Sequence, residues 1–395
     1  MKLKSHDPRE YIRMLQQLLA SDTKRIGFLF GAGTSIASNP TAIESRVPGV
    51  KEMTKIIVDS IKEREFQAAL DKIKTELSKD GVDFYIEYIL SLIIQKIKVI
   101  GDDKLCGLDK KQFETLKDVI EKKIIELVSV HKNIDKFRDK LIHNEFALWI
   151  KMAQRKTPVE IFTTNYDYLF EIALENQNLP YFDGFTGSYQ PFFFSSAIED
   201  ISYYPKTTKL WKIHGSLGWK KNDDTGNICR YQHDDASILI YPSFSKYEHS
   251  QKLPYLSFID RLKSFLRDED GILITCGYSF GDQHINEAIL QGLSMTKSSH
   301  VFGFLFDDFD ENSSIFNLAK TEPNLSIYGK RNAIINGKIG AWKINNEPAE
   351  DELKMINGYY EVSKDAAGNW TGEGNLRLID FSALADFLTT IRGSI

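Results

Sequence analysis

Ile26-Gly-Phe-Leu-Phe-Gly-Ala-Gly-Thr-Ser35 is an apolar run that ends abruptly in small residues before the chain turns. Ile, Phe and Leu with a single glycine predict a buried strand of a parallel sheet, apolar on both faces. Gly31 and Gly33 let the backbone turn tightly and approach a ligand without Cβ interference. Thr34 and Ser35 supply hydroxyls and a cap for a following helix, and peptide N–H groups left unpaired at such a helix start attract phosphate. The spacing is not G-x-G-x-x-G, because Ile36 stands where the third glycine belongs, and no G-x-x-x-x-G-K-[ST] run is present. A purely structural tight turn accounts for Gly-Ala-Gly equally well.

Around this stretch, 395 residues suffice for one large domain with an insertion, or for two domains. A hydrophobic content of 42% with 12% aromatic residues argues against disorder. No apolar run approaches the roughly 18 residues that span a bilayer. Met1-Lys-Leu-Lys-Ser-His-Asp7 lacks the apolar core of a signal peptide, so a cytoplasmic protein without membrane contact is expected. Cys106, Cys229 and Cys276 are far apart with no C-x-x-C pair, which excludes a four-cysteine zinc ribbon. A net charge of −5 gives no basic footprint for nucleic acid.

Pro8 to Ala20 reads as a helix with Tyr11, Met14, Leu15 and Leu18 on its apolar face. After a break at Arg46-Val-Pro48-Gly49, the Lys- and Glu-rich tract 51–151 carries successive helical patterns, including Ile56, Ile57 and Ile61, then Leu116, Ile120, Ile124, Leu127 and Val128. It is read as a helical insertion between the first two strands of the sheet. The α/β pattern resumes at Val159-Glu-Ile-Phe-Thr163, which delivers Asn165 and Asp167 at its carboxyl end. Ligands of open parallel sheets sit beyond the carboxyl ends of strands, so these residues are expected to share a crevice with Gly31 to Ser35; the alternative is that they only cap the next helix. Leu210-Trp-Lys-Ile-His214-Gly-Ser216 is a third unit, and His214 is either a satisfied structural histidine or a general base. A fourth, Gly271-Ile-Leu-Ile-Thr-Cys-Gly277-Tyr278-Ser279-Phe-Gly-Asp282-Gln-His284, ends in another glycine and hydroxyl turn, with Asp282 placed as a helix cap rather than a metal ligand. Val301 to Phe306 makes a fifth strand with Asp307 and Asp308 at its tip, where an acid often meets ribose hydroxyls. The tail reads as strands at Leu325 to Tyr328 and Ala333 to Ile335, a turn-rich stretch from Asn369, and a helix from Phe381 to Ile391. The fold class is therefore α/β, a Rossmann-like open parallel sheet with helices on both faces. Its core is divided between 1–50 and 152–330, interrupted by the helical insertion at 51–151 and followed by a strand and helix addition at 331–395.

Gly31-Ala32-Gly33-Thr34-Ser35, Thr164-Asn165-Tyr-Asp167, His214-Gly215 and Gly277-Tyr278-Ser279-Phe280, in this order, resemble the sirtuin-like family. The Thr-Thr-Asn-Tyr-Asp and Gly-Tyr-Ser-Phe-Gly-Asp forms look like the bacterial sirtuin-like domains of antiphage defence rather than the protein deacetylases. The resemblance spans roughly 27–306, broken by the insertion. It implies that Gly31 to Ser35 hold the NAD pyrophosphate and that Pro48 belongs to a loop closing over nicotinamide. It further implies that Asn165 and Asp167 flank the nicotinamide ribose, that His214 is the general base, and that Gly277, Tyr278 and Ser279 line the adenosine half, with Asp307 a weaker ribose contact. The missing zinc ribbon puts peptide deacylation in doubt. The resemblance thus implies an NAD+ hydrolase that depletes the cofactor in infected cells, with group transfer from NAD and a non-catalytic NAD- or ADP-ribose-binding subunit as alternatives. It also implies a homo-oligomer switched on by a HerA-like hexameric ATPase.

Overall fold

The computed structural model describes residues 4–36, 46–153, 155–222, 224–231, 238–239 and 254–391. Among these, ten strands build one sheet: β1 (Lys4–His6), β2 (Arg25–Phe30), β3 (Glu160–Thr163), β4 (Tyr181–Phe182), β5 (Thr208–Lys212), β6 (Gly271–Cys276), β7 (His300–Phe304), β8 (Leu325–Tyr328), β9 (Asn332–Ile335) and β10 (Lys338–Trp342). Their spatial order is β1-β10-β9-β8-β7-β6-β2-β3-β5-β4. All neighbours run parallel except β8 with β9 and β9 with β10. The fold is thus the open, mostly parallel, Rossmann-like sheet that the sequence predicts.

β2 is buried on both faces, as its unbroken apolar run requires. Ile26, Phe28 and Phe30 point into one core, beneath the helices Pro8–Ala20, His143–Met152, Leu169–Asn176 and Phe381–Ile391. Leu29 points into the other, with the helices Tyr255–Arg267 and Gln283–Met295. Gly27 makes room on that second face, since a Cβ there would lie 2.7 Å from Cζ of Phe265.

The helix Pro8–Ala20 is capped by Asp7, with Pro8 in its first turn. Its buried stripe is Pro8, Ile12, Leu15 and Leu19, flanked by Tyr11 and Leu18, while Met14 is exposed. The face therefore lies one residue away from the one read from sequence, because Ile12 and Leu19 continue the Leu15 row at helical spacing and Met14 does not.

Within 51–151, the helices Val50–Ser60, Arg64–Lys79, Ile86–Val99 and Lys110–Val128 share a core of their own. The helix His143–Met152 instead packs under the sheet beside Phe381–Ile391. Val47, Leu217, Tyr166 and Tyr168 join the core of the helical body, which fixes that body to the carboxyl edge of the strands. The tail extends the sheet through β8, β9 and β10. Its turn-rich stretch is a strand, Trp370–Leu376, paired with Tyr360–Lys364. Gly374 is needed in that ladder, where a Cβ would fall 2.1 Å from the Glu361 carbonyl.

Candidate active site

Phe304, Cys276, Phe30, Thr163 and Lys212 lie in one register row across β7, β6, β2, β3 and β5. Each sequence-selected residue at the ends of β6, β2, β3 and β5 emerges within a few positions beyond that row. Gly31, Asn165, His214 and Gly277 thereby converge at one edge of the sheet.

The turns that follow β2 and β6 interlock through their glycines. A Cβ on Gly31 would lie 2.5 Å from the Gly277 carbonyl, one on Gly33 would lie 2.4 Å from Gly277 Cα, and one on Gly277, at φ +66°, would lie 2.6 Å from Thr34 N. The N–H groups of Gly31, Gly33 and Thr34 are all bonded to carbonyls, of Cys276, Gly277 and Gly31 respectively. The glycines thus serve backbone-to-backbone packing, and these three N–H groups are not the open phosphate cradle expected from the sequence. Ala32 is exposed at the tip of the turn.

Asn165 is buried above this turn. Its Nδ2 donates to Gly31 O at 3.1 Å, Thr34 Oγ1 at 3.0 Å and Ser35 Oγ at 2.8 Å. Thr34 in turn donates to Gly31 O at 2.9 Å, and Ser35 to Asp167 Oδ2 at 2.7 Å. Asp167 Oδ1 accepts from Leu169 N at 3.0 Å, so this carboxylate both holds Ser35 and takes up the first N–H of the next helix, whose N-cap position is Tyr168. Lys212, fully buried, fixes the same loop from behind: its Nζ donates to the Asp167 carbonyl and pairs with Glu171 Oε1 at 2.9 Å. Burial pushes the Glu171 carboxyl up, an effect that the neighbouring Lys212 only partly offsets.

His214 is buried with Nε2 3.0 Å from Asp282 Oδ2. Asp282 Oδ1 meanwhile caps the helix Gln283–Met295 through His284 N and Ile285 N. A carboxylate only accepts, so Nε2 carries the hydrogen and Nδ1 is the basic nitrogen of the ring. Sequence reasoning gave Asp282 the cap alone and missed this second role, because its two oxygens serve different partners and His214 is distant in the chain.

The remaining positions differ in kind. Tyr278 buries its ring in the core, and its hydroxyl bonds Asp282 O at 3.2 Å and Asn286 Oδ1 at 2.9 Å, so it builds the turn from within rather than lining a surface. Ser279 is exposed beside it, and Asp307 is exposed beyond β7, while its neighbour Asp308 is taken by Arg331 at 2.6 Å. Pro48 is half-buried next to Val47, whose N–H returns to Ser35 O at 2.9 Å, so that segment is tied to the glycine turn. Among the described residues no three His, Cys, Asp or Glu side chains are grouped to hold a metal ion. None of their helices is long and apolar enough to cross a membrane.

Residues 159–327 match the family model of the SIR2-like domain, a range that contains Asn165, His214 and Gly277 and leaves the Gly31 turn outside. A solved structure of a SIR2 homolog in complex with NAD aligns with 79% of this chain and 87% of that chain, at 13% identity and a TM-score of 0.36. That likeness is too distant to carry residue roles across. No curated protein matches the chain.

Proposed function

We propose that the chain is an NAD+ glycohydrolase, and that it acts as an antiphage defence effector, a homo-oligomer under the control of a HerA-like ATPase. The observation that carries the enzymatic part is the convergence of the Asn165 network and the His214–Asp282 pair at the carboxyl edge of one parallel sheet. The SIR2-like match over residues 159–327 supports NAD as the ligand class.

The reaction breaks the bond between nicotinamide and ribose, adds the hydroxyl of a water to the sugar and releases a proton. Asn165 spends its Nδ2 on Gly31, Thr34 and Ser35, so it would orient the water through Oδ1, an acceptor held at a fixed angle. His214 would take the released proton at Nδ1, while Asp282 holds the ring through Nε2. The pyrophosphate would meet the first turn at Ala32, because the N–H groups of Gly31, Gly33 and Thr34 are already bonded. Ser279 and Asp307, both exposed, are the side chains free to reach the adenosine half.

The test is incubation of the purified chain with NAD, following nicotinamide and ADP-ribose by chromatography, with His214→Ala in parallel and a HerA-like ATPase added in a second series. Release of both products that is lost in the variant supports the hydrolase. ADP-ribose found attached to protein or nucleic acid would replace it with group transfer. Bound but uncleaved NAD in both series would replace it with a binding subunit.

A further inference from the structure

A cavity of about 220 Å³ lies beside the candidate active site, between the Leu169–Asn176 helix, β4 and the segment that follows His214, and none of the sequence-selected residues lines it. Its volume is below the 300–1,000 Å³ typical of drug-sized ligands, so it suits a small one.

Two lining side chains carry buried oxygens that no hydrogen bond satisfies: Oε2 of Glu171 and Oγ of Ser216. Both residues are at least nine-tenths buried. A buried acceptor without a donor is costly, and a ligand N–H removes that cost. The Glu171 carboxyl is also pushed up by burial, the behaviour of an acid short of positive partners.

The charges around the cavity decide what would enter it. Glu171, Glu175 and Asp183 line it, with the rings of Tyr168, Tyr181 and Trp219. Arg230 is committed to Asp183 and lies over the Phe185 ring at 5.0 Å, and Arg138 donates to Asn176 Oδ1 at 3.1 Å. The two guanidiniums balance two of the three acids, so the selection rests on the unsatisfied Glu171 oxygen, which takes a donor, and on the aromatic faces, which favour a cation over an anion. The geometry points to a second ligand site, for a small ammonium or guanidinium group seated against Glu171 and Ser216. The site does not depend on NAD cleavage. It touches that chemistry through Lys212, which bonds Glu171 on one side and the carbonyl of Asp167 on the other.

Calorimetric titration of the full chain with methylguanidinium and with ethylammonium, at fixed ionic strength and without NAD, tests this. Saturable one-site binding of at least one cation is expected, with no binding of acetate or phosphate. Glu171→Gln is expected to weaken it about tenfold or more, the usual effect of removing a charged hydrogen-bond partner. Glu171 also anchors Lys212, so that variant can lose the fold. Ser216→Ala removes only a hydroxyl without a partner, leaves unfolding by urea unchanged, and is expected to weaken binding several-fold, by roughly one hydrogen bond. Absence of saturable cation binding, preference for acetate or phosphate, or full affinity in Ser216→Ala would overturn the assignment.

Discussion

His214 and Asp282 meet at 3.0 Å although β5 and β6, the strands that lead to them, are separated in the sheet by β2 and β3. Neighbouring strands lie about 4.8 Å apart, so the pair bridges roughly 14 Å of sheet edge, across the strand ends that deliver Gly31 and Asn165. Asp282 acts here through His214 and is a positioning residue. Asp282→Asn keeps a side-chain oxygen for the helix cap and removes the charge that orients the ring. NAD cleavage is expected to fall about tenfold to a hundredfold, less than the hundredfold to ten-thousandfold expected for His214→Ala or Asn165→Ala. The loss should fall on kcat rather than on KM for NAD, because the carboxylate touches the ring alone. An unchanged kcat would show that the carboxylate serves the cap alone.

The interlock of Gly33 with Gly277 makes a different prediction. Gly33→Ala would place Cβ 2.4 Å from Gly277 Cα, and Gly277→Ala would strain a residue at φ +66°. Each is expected to lower stability by about 1–3 kcal/mol, the cost of overpacking a tight contact. The double variant should depart from additivity because both changes push on the same contact. Urea unfolding of the two single variants and the double variant is the measurement.

His143 lies with its ring centroid 4.7 Å from that of Phe170 and 4.8 Å from that of Phe381, and neither ring nitrogen has a hydrogen-bond partner. Burial draws it down to about 3. The folded chain thus holds it neutral, while the unfolded chain protonates it near 6.5. Its contribution is present above the unfolded value and is lost as pH falls from there towards 3. Between pH 7 and pH 5 this amounts to about 2 kcal/mol. His300, drawn down by burial to about 4, acts in the same direction. His143→Phe should flatten the acid limb of a plot of stability against pH, with the remaining slope assignable to His300. A wild-type slope in the variant would contradict the assignment.

Glu160 is fully buried on β3. It accepts from Arg261 Nε at 2.8 Å and Nη2 at 2.6 Å, and from Trp211 Nε1 at 2.9 Å. Burial raises its carboxyl, but Arg261, Trp211 and Arg25 together outweigh this and hold it below the usual range. Its stabilisation is therefore present above the unfolded carboxylate value and lost as pH falls through the lowered folded one. Arg261→Met strands the carboxylate and is expected to cost about 3–5 kcal/mol near neutral pH. The variant can recover part of that by taking up a proton, so the gap from wild type should narrow in acid. A gap independent of pH in chemical denaturation would mean that Arg261 acts through packing alone.

What the sequence made legible was local. β2 announces itself because burial on both faces demands an unbroken apolar run, and Phe381–Ile391 because its apolar residues recur at helical spacing. Contacts between distant residues left weaker marks. Nothing in Gly-Asp282-Gln-His reveals that the second oxygen of Asp282 reaches His214, 68 residues earlier. Gly372 and Gly374 look like turn residues, yet both stand in a strand and leave no room for a Cβ, Gly374 against Glu361 of the partner strand and Gly372, at φ +76°, against the Ile344 carbonyl. Lys212 gives no sign of burial in Leu-Trp-Lys-Ile, since a lysine in a strand usually faces water. Its burial follows from the two carbonyls and the carboxylate gathered around it by the fold.

Tyr166 sits between the two polar residues of its loop, and its side chain joins the core of the helical body while Asn165 and Asp167 turn towards the Gly31 to Ser35 segment. One peptide bond separates the outer body from the buried amide on one side, and one separates it from the buried carboxylate on the other. Such a short connection has little slack. A force on the four helices would therefore reach the site in part as a rotation of this loop, with Tyr166 as a lever arm beside the tie from Val47 to Ser35.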